Sequence, residues 1–115
     1  MLHRGHFELL RYCKTLGNVI VGLNSDNSVT KLKGPTRPYF NEEDRKFALL
    51  SCSYVDEVRV FDQETPYDLI KQIKPDIIVK GGDYNPNTVV GADLCEVKIF
   101  SYIDGYSTTG ILEKI

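Results

Sequence analysis

The sequence predicts a parallel, doubly wound α/β sheet. Predicted helices alternate with short apolar segments, an order typical of βαβ units. Segments such as NVIVGLNS at 18–25 are apolar almost throughout, as expected for strands buried on both faces. Polar and glycine-rich residues follow these segments, at the sheet edge where ligands bind in such folds.

Local signals support each element. In the first helix, 5–16, apolar residues recur at close to helical spacing and Gly17 follows as a stop signal. Asn41 and Thr65 are N-cap candidates, and Pro66 suits the first position of the helix after Thr65. The predicted order, in one domain over residues 1–115, is helix 5–16, strand 18–25, loop 26–40, helix 41–52, strand 57–61, helix 65–74, strand 76–83, strand 95–102 and helix 107–115.

Composition argues against several classes of function. The formal net charge of −2 provides no basic field that would attract a nucleic-acid backbone. The longest apolar run is far shorter than the roughly 18–20 residues that span a bilayer, and no signal peptide is evident. Cys13, Cys52 and Cys95 are far apart, which favours reduced thiols over a zinc or redox motif. We therefore expect a cytoplasmic protein with neither nucleic-acid nor membrane partners.

The first candidate site is the segment HRGH, in which His3 and His6 flank Gly5 at a helix start. A helix N-terminus presents amide groups and a positive dipole end, both of which favour phosphate. Imidazole groups beside it could donate hydrogen bonds to a phosphate whose charge grows in a transition state. The alternative is a pair of exposed histidines near the end of the chain.

Three more groups follow predicted strands or begin predicted helices at the same edge. Hydroxyls at a helix start could bind phosphate or serve only as an N-cap. Glycines after a strand could admit a ligand close to the backbone or simply form a turn. Cations in a loop could bind phosphate or be solvated. The groups are Ser107, Thr108 and Thr109; Lys80, Gly81, Gly82 and Asp83; and Lys31, Lys33, Arg37 and Arg45. Together with the histidines they favour phosphoryl or nucleotidyl transfer through positioning and charge stabilisation.

Two motifs carry a family resemblance. HRGH resembles the H-x-G-H signature of the nucleotidyltransferase superfamily, and DGYSTT at 104–109 resembles its second signature. Their order and spacing are similar to those of the small cytidylyltransferase-like enzymes, whose Rossmann-like fold is of the HUP type, over nearly the whole chain. The stretches KLKGPTRP at 31–38 and TPYDLIKQIKPDIIVKGGDY at 65–84 most resemble the domain that adenylylates D-glycero-β-D-manno-heptose 1-phosphate.

Glycerol-3-phosphate cytidylyltransferases are the nearest competing resemblance. They typically carry R-T-E-G-I-S-T-T at the second signature, and Tyr102 stands here in place of that arginine. The KGGDY segment at 80–84 also favours the heptose type. A CTP-dependent enzyme of the glycerol type and a non-catalytic nucleotide-binding homologue remain the alternatives.

The heptose-type resemblance implies a reaction and a role for each candidate residue. A sugar 1-phosphate would attack the α-phosphorus of ATP, accompanied by Mg²⁺, and release pyrophosphate, in an enzyme that is commonly a homodimer. The resemblance implies that His3 and His6, around Gly5, contact phosphate and stabilise the transition state, and that Lys31 or Lys33 closes on phosphate with Arg45 nearby. It also implies a nucleotide pocket lined by Lys80, Gly81, Gly82 and Asp83. The helix cap that faces the phosphates would consist of Ser107, Thr108 and Thr109.

One departure from the family pattern concerns the start of the chain. Members carry an apolar strand before H-x-G-H, whereas Met1 stands two residues before His3. The resemblance implies that this strand is central, so we expect it in an amino-terminal piece preceding this sequence. A reading frame annotated to start late, and a protein that lacks the strand, are the alternatives.

Overall fold

Helices and parallel strands alternate along the chain. The computed structural model describes residues 2–27, 41–82, 84–101 and 113–114. In chain order the elements are α1 (Arg4–Leu16), β1 (Ile20–Asn24), α2 (Glu42–Leu50), β2 (Glu57–Phe61), α3 (Tyr67–Ile73), β3 (Ile77–Gly81), a 3-10 helix (Pro86–Thr88), β4 (Glu96–Phe100) and β5 (Glu113–Lys114).

The described strands form two small sheets. In the first, of order β2-β1-β5, β1 runs parallel to β2 and pairs with it from Ile20 to Asn24. In the second, β3 runs parallel to β4 and pairs with it from Ile77 to Gly81. The parallel pairing predicted from the apolar segments is therefore confirmed for four strands.

Helices cover both faces of these strands. Leu9 and Leu10 of α1 are buried in one core cluster with Val21 of β1 and Val79 of β3. Ile78, the residue before Val79, belongs instead to a second cluster that includes Leu69 and Ile70 of α3. Since successive strand side chains point to opposite faces, the two clusters lie on opposite sides of β3. This confirms the doubly wound, Rossmann-like architecture.

A pocket of about 320 Å³ lies where β1 and β3 begin. Its walls come from the end of α1, including Cys13 and Leu16, from Ile20, and from the connection between α3 and β3 at 73–77. The pocket therefore opens between the two sheets at the amino ends of their strands. This is the edge opposite to the one where the sequence places its candidate site.

The helix predicted over 65–74 begins later than expected. Its N-cap is Pro66 rather than Thr65, and no side chain caps it. Pro66 has φ −80° and ψ 11°, and its carbonyl accepts the first helical hydrogen bond, from the Ile70 N–H at 2.9 Å. The prediction of Thr65 as N-cap is wrong because the helical bonding pattern starts one residue further on.

The terminal helix predicted over 107–115 is wrong at the two positions that the structure describes. Glu113 and Lys114 form β5, which pairs antiparallel with Gly22 and Val21 of β1. A hydroxyl-rich helix start is only a local preference, whereas the second edge of β1 offers backbone groups that a strand satisfies directly. The rest of the predicted helix, 107–112 and 115, lies outside the described residues.

Candidate active site

The first turn of α1 lies toward the carboxyl ends of the strands. The last residues of α1, Cys13 and Leu16, line the pocket at the amino ends of β1 and β3. A helix of thirteen residues is about 20 Å long, slightly longer than a five-residue strand. The other end of α1, with His3 and His6, therefore reaches the edge where the sequence places the ligand.

His3 and His6 hold the start of α1 through a reciprocal capping box. The Nδ1 atom of His3, the N-cap residue, accepts a hydrogen bond from the Gly5 N–H at 3.0 Å. The His3 backbone N–H donates in turn to Nδ1 of His6 at 3.2 Å. The two rings lie 4.1 Å apart between centroids and are tilted by 43°. The two histidines are thus coupled through hydrogen bonds to the same helix start and through the contact between their rings.

This arrangement changes which groups can face a phosphate. The Gly5 N–H is taken by His3, and the His6 and Phe7 N–H groups both donate to the His3 carbonyl, at 3.0 and 3.2 Å. The Gly5, His6 and Phe7 amides are therefore engaged within the helix start. Donation to a ligand falls mainly to the imidazole rings, of which His3 is half-buried and His6 is completely buried.

An ion pair between the buried Arg45 and the partly exposed Asp26 joins the end of β1 to α2. The Nη2 atom of Arg45 lies 3.0 Å from Oδ1 of Asp26, and the Arg45 side chain is only 5% exposed. The Asp26 backbone N–H donates to Oε1 of Glu42 at 3.1 Å. The residues on both sides of the 28–40 segment are thus tied together, with a buried guanidinium at their centre.

The ends of β1 and β2 are also joined. The Ser25 N–H donates to the Phe61 carbonyl at 2.9 Å, and the Ser25 hydroxyl donates to Oδ1 of Asp62 at 2.5 Å. Ser25 is buried, as is Asn24 before it. A polar network therefore runs along the carboxyl edge from Ser25 to the exposed carboxylate of Asp62.

The end of β3 supplies a lysine and two glycines. Lys80 is half-buried, and its Nζ atom lies 5.3 Å from the centre of the Tyr84 ring, which is 49% exposed. Gly82 has φ 111°, a conformation that favours glycine, and its N–H donates to the Phe100 carbonyl at 2.9 Å.

Several candidates lie outside the described residues. They are the loop cations Lys31, Lys33 and Arg37, then Asp83, and the second signature with Tyr102, Ser107, Thr108 and Thr109. Their predicted roles stay predictions.

The structure adds residues that motif reasoning passed over. Asp26, Glu42 and Asp62 organise the carboxyl edge through the contacts above. The signal available for Asp62 was its position directly after a strand, where side chains of parallel sheets face the ligand. Glu42 could be noticed only as a first-turn acid of α2, since its partner Asp26 is sixteen residues away in the sequence.

The described part of the chain contains neither a metal-binding cluster nor a membrane-spanning helix. There, no group of three or more histidine, cysteine, aspartate or glutamate side chains is arranged to hold a metal ion. None of the helices in those same ranges is both long enough and apolar enough to cross a membrane.

A doubly wound sheet with an H-x-G-H helix start at its ligand edge defines the nucleotidyltransferase class of α/β proteins. Comparison with known sequences makes the assignment specific: the cytidylyltransferase-like family matches residues 1–111. The chain belongs to that family.

Curated relatives match the whole chain. It is 49% identical over 121 residues to the bifunctional protein HldE of Syntrophotalea carbinolica, and 50% identical over 117 residues to the HldE proteins of Wolinella succinogenes and Helicobacter pylori J99. All of this chain is covered in each case, but only 25% of each relative. The chain thus spans about a quarter of the length of these proteins.

A solved structure shares the fold. The lipopolysaccharide core biosynthesis protein of Thermoplasma volcanium superposes with a TM-score of 0.70, covering 93% of this chain and 90% of that one. The two sequences are 24% identical, so the match supports the Rossmann-like architecture.

Proposed function

We propose that the chain transfers AMP from ATP to a sugar 1-phosphate of the heptose type, releasing pyrophosphate. A phosphate oxygen of the sugar attacks the α-phosphorus of ATP, the bond from that phosphorus to the bridging oxygen breaks, and pyrophosphate leaves. The product is a nucleotide-diphosphate sugar. The observation that carries the proposal is the interlocked His3–His6 pair at the ligand edge of a cytidylyltransferase-like fold.

The site residues divide into donors and cations. His3 and His6 donate hydrogen bonds to phosphate oxygens whose charge grows in the transition state. Lys80 at the end of β3 and Lys31 or Lys33 of the loop bring positive charge to the triphosphate. Arg45, held by Asp26, adds a fixed positive charge near the start of α2. The sugar phosphate itself is the attacking nucleophile in this reaction, so catalysis rests on positioning and charge stabilisation.

Mg²⁺ enters this proposal with the nucleotide. The ion binds phosphate oxygens and retains several waters, so it needs few protein ligands. At the described edge the carboxylates are already engaged: Asp26 with Arg45, Asp62 with Ser25 and Glu42 with a backbone N–H. This donor set fits an ion carried by the triphosphate. When bound, it neutralises charge on the leaving pyrophosphate.

The choice of nucleotide and acceptor is tested by measuring pyrophosphate release. ATP and CTP are each paired with D-glycero-β-D-manno-heptose 1-phosphate and with glycerol 3-phosphate. Release with ATP and the heptose phosphate alone is expected. Turnover with CTP and glycerol 3-phosphate only would assign the chain to the cytidylyl alternative. ATP binding in a calorimeter without release from any pair would indicate a non-catalytic homologue.

Two lysines on neighbouring strands provide a matched test of the site. Lys80→Met removes a charge from the end of β3, whereas Lys98→Met removes one from the middle of β4, where Lys98 lies 3.2 Å from Glu96. We expect the KM for ATP to rise roughly tenfold in the first variant, the loss of about 1.4 kcal/mol of binding, and to stay unchanged in the second. Equal effects would remove Lys80 from the nucleotide site.

The proposed homodimer is tested by light scattering during gel filtration. A dimer has twice the 13.1 kDa of the chain. A mass of one chain at all concentrations tested would contradict the dimer but leave the reaction open.

A further inference from the structure

A buried serine holds an exposed carboxylate at the carboxyl ends of β1 and β2. Ser25 is 6% exposed; its N–H donates to the Phe61 carbonyl and its hydroxyl donates to Oδ1 of Asp62 at 2.5 Å. Ser25 is thus tied both to the backbone before Asp62 and to the Asp62 side chain, which gives that carboxylate a defined position. Asp62 is exposed and Ser25 uses one of its two oxygens, so Oδ2 can accept further hydrogen bonds.

Charge divides the carboxyl edge into two parts. Lys80 lies near the end of β3, and the first turn of α1 contains no acidic residue. The ends of β1 and β2 are followed instead by the carboxylates of Asp26 and Asp62. Asp26 is paired with the buried Arg45, which offsets its charge, whereas Asp62 contacts a neutral hydroxyl. A negatively charged triphosphate is therefore favoured on the side of α1 and β3 and disfavoured beside Asp62.

A carboxylate suits the uncharged part of the acceptor. Sugar hydroxyls donate hydrogen bonds, a carboxylate accepts them, and such charge-assisted bonds are stronger than bonds between neutral groups. We propose that Asp62 binds hydroxyl groups of the acceptor sugar and that Ser25 positions its carboxylate for that contact. The phosphate of the acceptor then points toward α1 and β3, where it meets the nucleotide. This inference rests on the proposed function and names the residue that selects a polyhydroxylated acceptor.

Asp62→Asn tests the recognition of the acceptor. The variant keeps the size of the side chain and an oxygen that accepts from Ser25, but it loses the charge. We expect the KM for D-glycero-β-D-manno-heptose 1-phosphate to rise about ten- to a hundredfold, the usual effect of losing hydrogen bonds to a charged group, and the KM for ATP to change less than about twofold. An unchanged KM for the sugar phosphate would contradict the proposal.

Glu57→Gln is the matched control on the same strand. Glu57 begins β2, at the opposite edge of the sheet from Asp62, and its carboxylate lies 2.6 Å from the Arg59 side chain. Removing this charge should leave the KM for both substrates unchanged. A rise in the KM for the sugar phosphate equal to that of Asp62→Asn would assign the effect to the charge of the protein as a whole and overturn the proposal.

Ser25→Ala tests the positioning. If Ser25 acts through Asp62, this variant raises the KM for the sugar phosphate by a smaller factor, and the double variant with Asp62→Asn is no worse than Asp62→Asn alone. Residues that act independently would multiply their effects, so a double variant showing the product of the two factors would remove Ser25 from this role. A purely structural Ser25 would change the melting temperature and leave the ratio of the two KM values constant.

Equilibrium binding distinguishes failure of this proposal from failure of the proposed function. Heptose 1-phosphate is titrated in a calorimeter into protein saturated with Mg²⁺ and the α,β-methylene analogue of ATP, which does not react. Weaker sugar-phosphate binding in Asp62→Asn, with unchanged binding of the analogue, supports the proposal even if no substrate pair releases pyrophosphate. Equal sugar-phosphate binding in the two proteins would overturn it. A loss confined to the analogue or to Mg²⁺ would also overturn it, since Asp62 would then contact the metal-bound triphosphate. No sugar-phosphate binding to the unsubstituted protein would overturn both proposals.

Discussion

At the scale of single residues, position in the backbone decides what a side chain can do. His3 reads as a ligand-facing histidine, yet its first contact is with the Gly5 N–H of its own helix. Arg45 reads as a cation for phosphate, yet it lies buried against Asp26. Function at this edge is therefore built on residues that also hold the edge together.

Gly91 is a position where only glycine fits. Its φ is 93°, and a Cβ atom there would lie 2.7 Å from Cδ1 of Ile78 and 2.9 Å from Cδ1 of Ile70. Both isoleucines are buried, so moving either methyl group would disturb the packing of the core around it. We expect Gly91→Ala to lower the free energy of unfolding by about 2–3 kcal/mol, measured by urea denaturation.

Gly17→Ala is the matched control for that substitution. Gly17 also has a positive φ, of 153°, but a Cβ atom there would meet no heavy atom within 4 Å. Gly17→Ala should lower the free energy of unfolding clearly less than Gly91→Ala, because it adds backbone strain without a steric clash. Equal losses in the two variants would show that packing against the isoleucines contributes nothing.

Asp56 should make stability depend on acid pH. Its carboxylate accepts hydrogen bonds from Lys14 Nζ at 2.7–2.8 Å and from the Val19 N–H at 2.7 Å, and these contacts lower the pKa of Asp56 below its ordinary 3.8. A lowered pKa stabilises the fold at neutral pH, and that contribution is lost as the pH falls below about 4, through the folded-state pKa. Asp56→Asn should therefore melt below the unsubstituted protein at neutral pH, with a gap that narrows in acid.

Thermal unfolding from about pH 7 to about pH 3 measures this gap. Lys14→Met removes the largest cause of the lowered pKa and should narrow the pH dependence as well. A gap that stays constant over the whole range would show that the ionisation of Asp56 is not coupled to folding.

At the scale of elements, two helix starts supply much of the described site. The first turns of α1 and α2 hold His3, His6, Glu42 and Arg45. A helix that precedes a parallel strand runs back along it, so its first turn lies near the carboxyl end of that strand. The N-cap residue therefore fixes where each helix starts, and with it the position of the functional side chains in the first turn.

The cap of α2 is directly testable. Oδ1 of Asn41 accepts a hydrogen bond from the Asp44 N–H at 2.8 Å. Asn41→Ala should lower the free energy of unfolding by about 1 kcal/mol, whereas Asn41→Asp, which keeps a capping oxygen, should leave it nearly unchanged. Urea denaturation of the three proteins provides the measurement, and an alanine variant as stable as the aspartate variant would refute the cap's contribution.

At the scale of the whole molecule, β3 links the two core clusters. Val79 is buried with the α1 cluster and Ile78 with the α3 cluster. Because one strand contributes to both, neither cluster can lose its packing without disturbing the other. The described helices and strands should therefore unfold together, although the strands form two sheets.

Substitution on the two faces tests this coupling. Leu10, on the α1 face, is 0% exposed and Ile70, on the α3 face, is 1% exposed. Leu10→Ala and Ile70→Ala should each lower the free energy of unfolding by about 2–5 kcal/mol. In each variant, circular dichroism and tyrosine fluorescence should report the same single unfolding transition. The Leu50 side chain is 47% exposed, so Leu50→Ala should change the free energy of unfolding by less than about 0.5 kcal/mol. A variant with two separate transitions would show that the clusters unfold independently.

The sequence predicted more of the fold than of the site. Apolar runs located β1 to β4 and helical spacing located α1 to α3, because these signals repeat over several residues. The predicted start of α3 was wrong, and so was the helix predicted where β5 lies. Each of these features depends on backbone hydrogen bonds that side-chain patterns do not encode. HRGH was found from its residue types, but its internal hydrogen bonds were not.

The sequence alone therefore determined which chemistry-bearing residues exist, and it predicted that parallel strands bring them to one edge. Periodicity and connectivity are enough for that, because side chains at the ends of parallel strands and the starts of adjacent helices converge. Only the tertiary structure decided how they are used: Nδ1 of each histidine is taken by a backbone amide, and Arg45 is buried against a carboxylate nineteen residues away. Burial and hydrogen-bond direction depend on neighbours distant along the chain, so no local pattern could specify them.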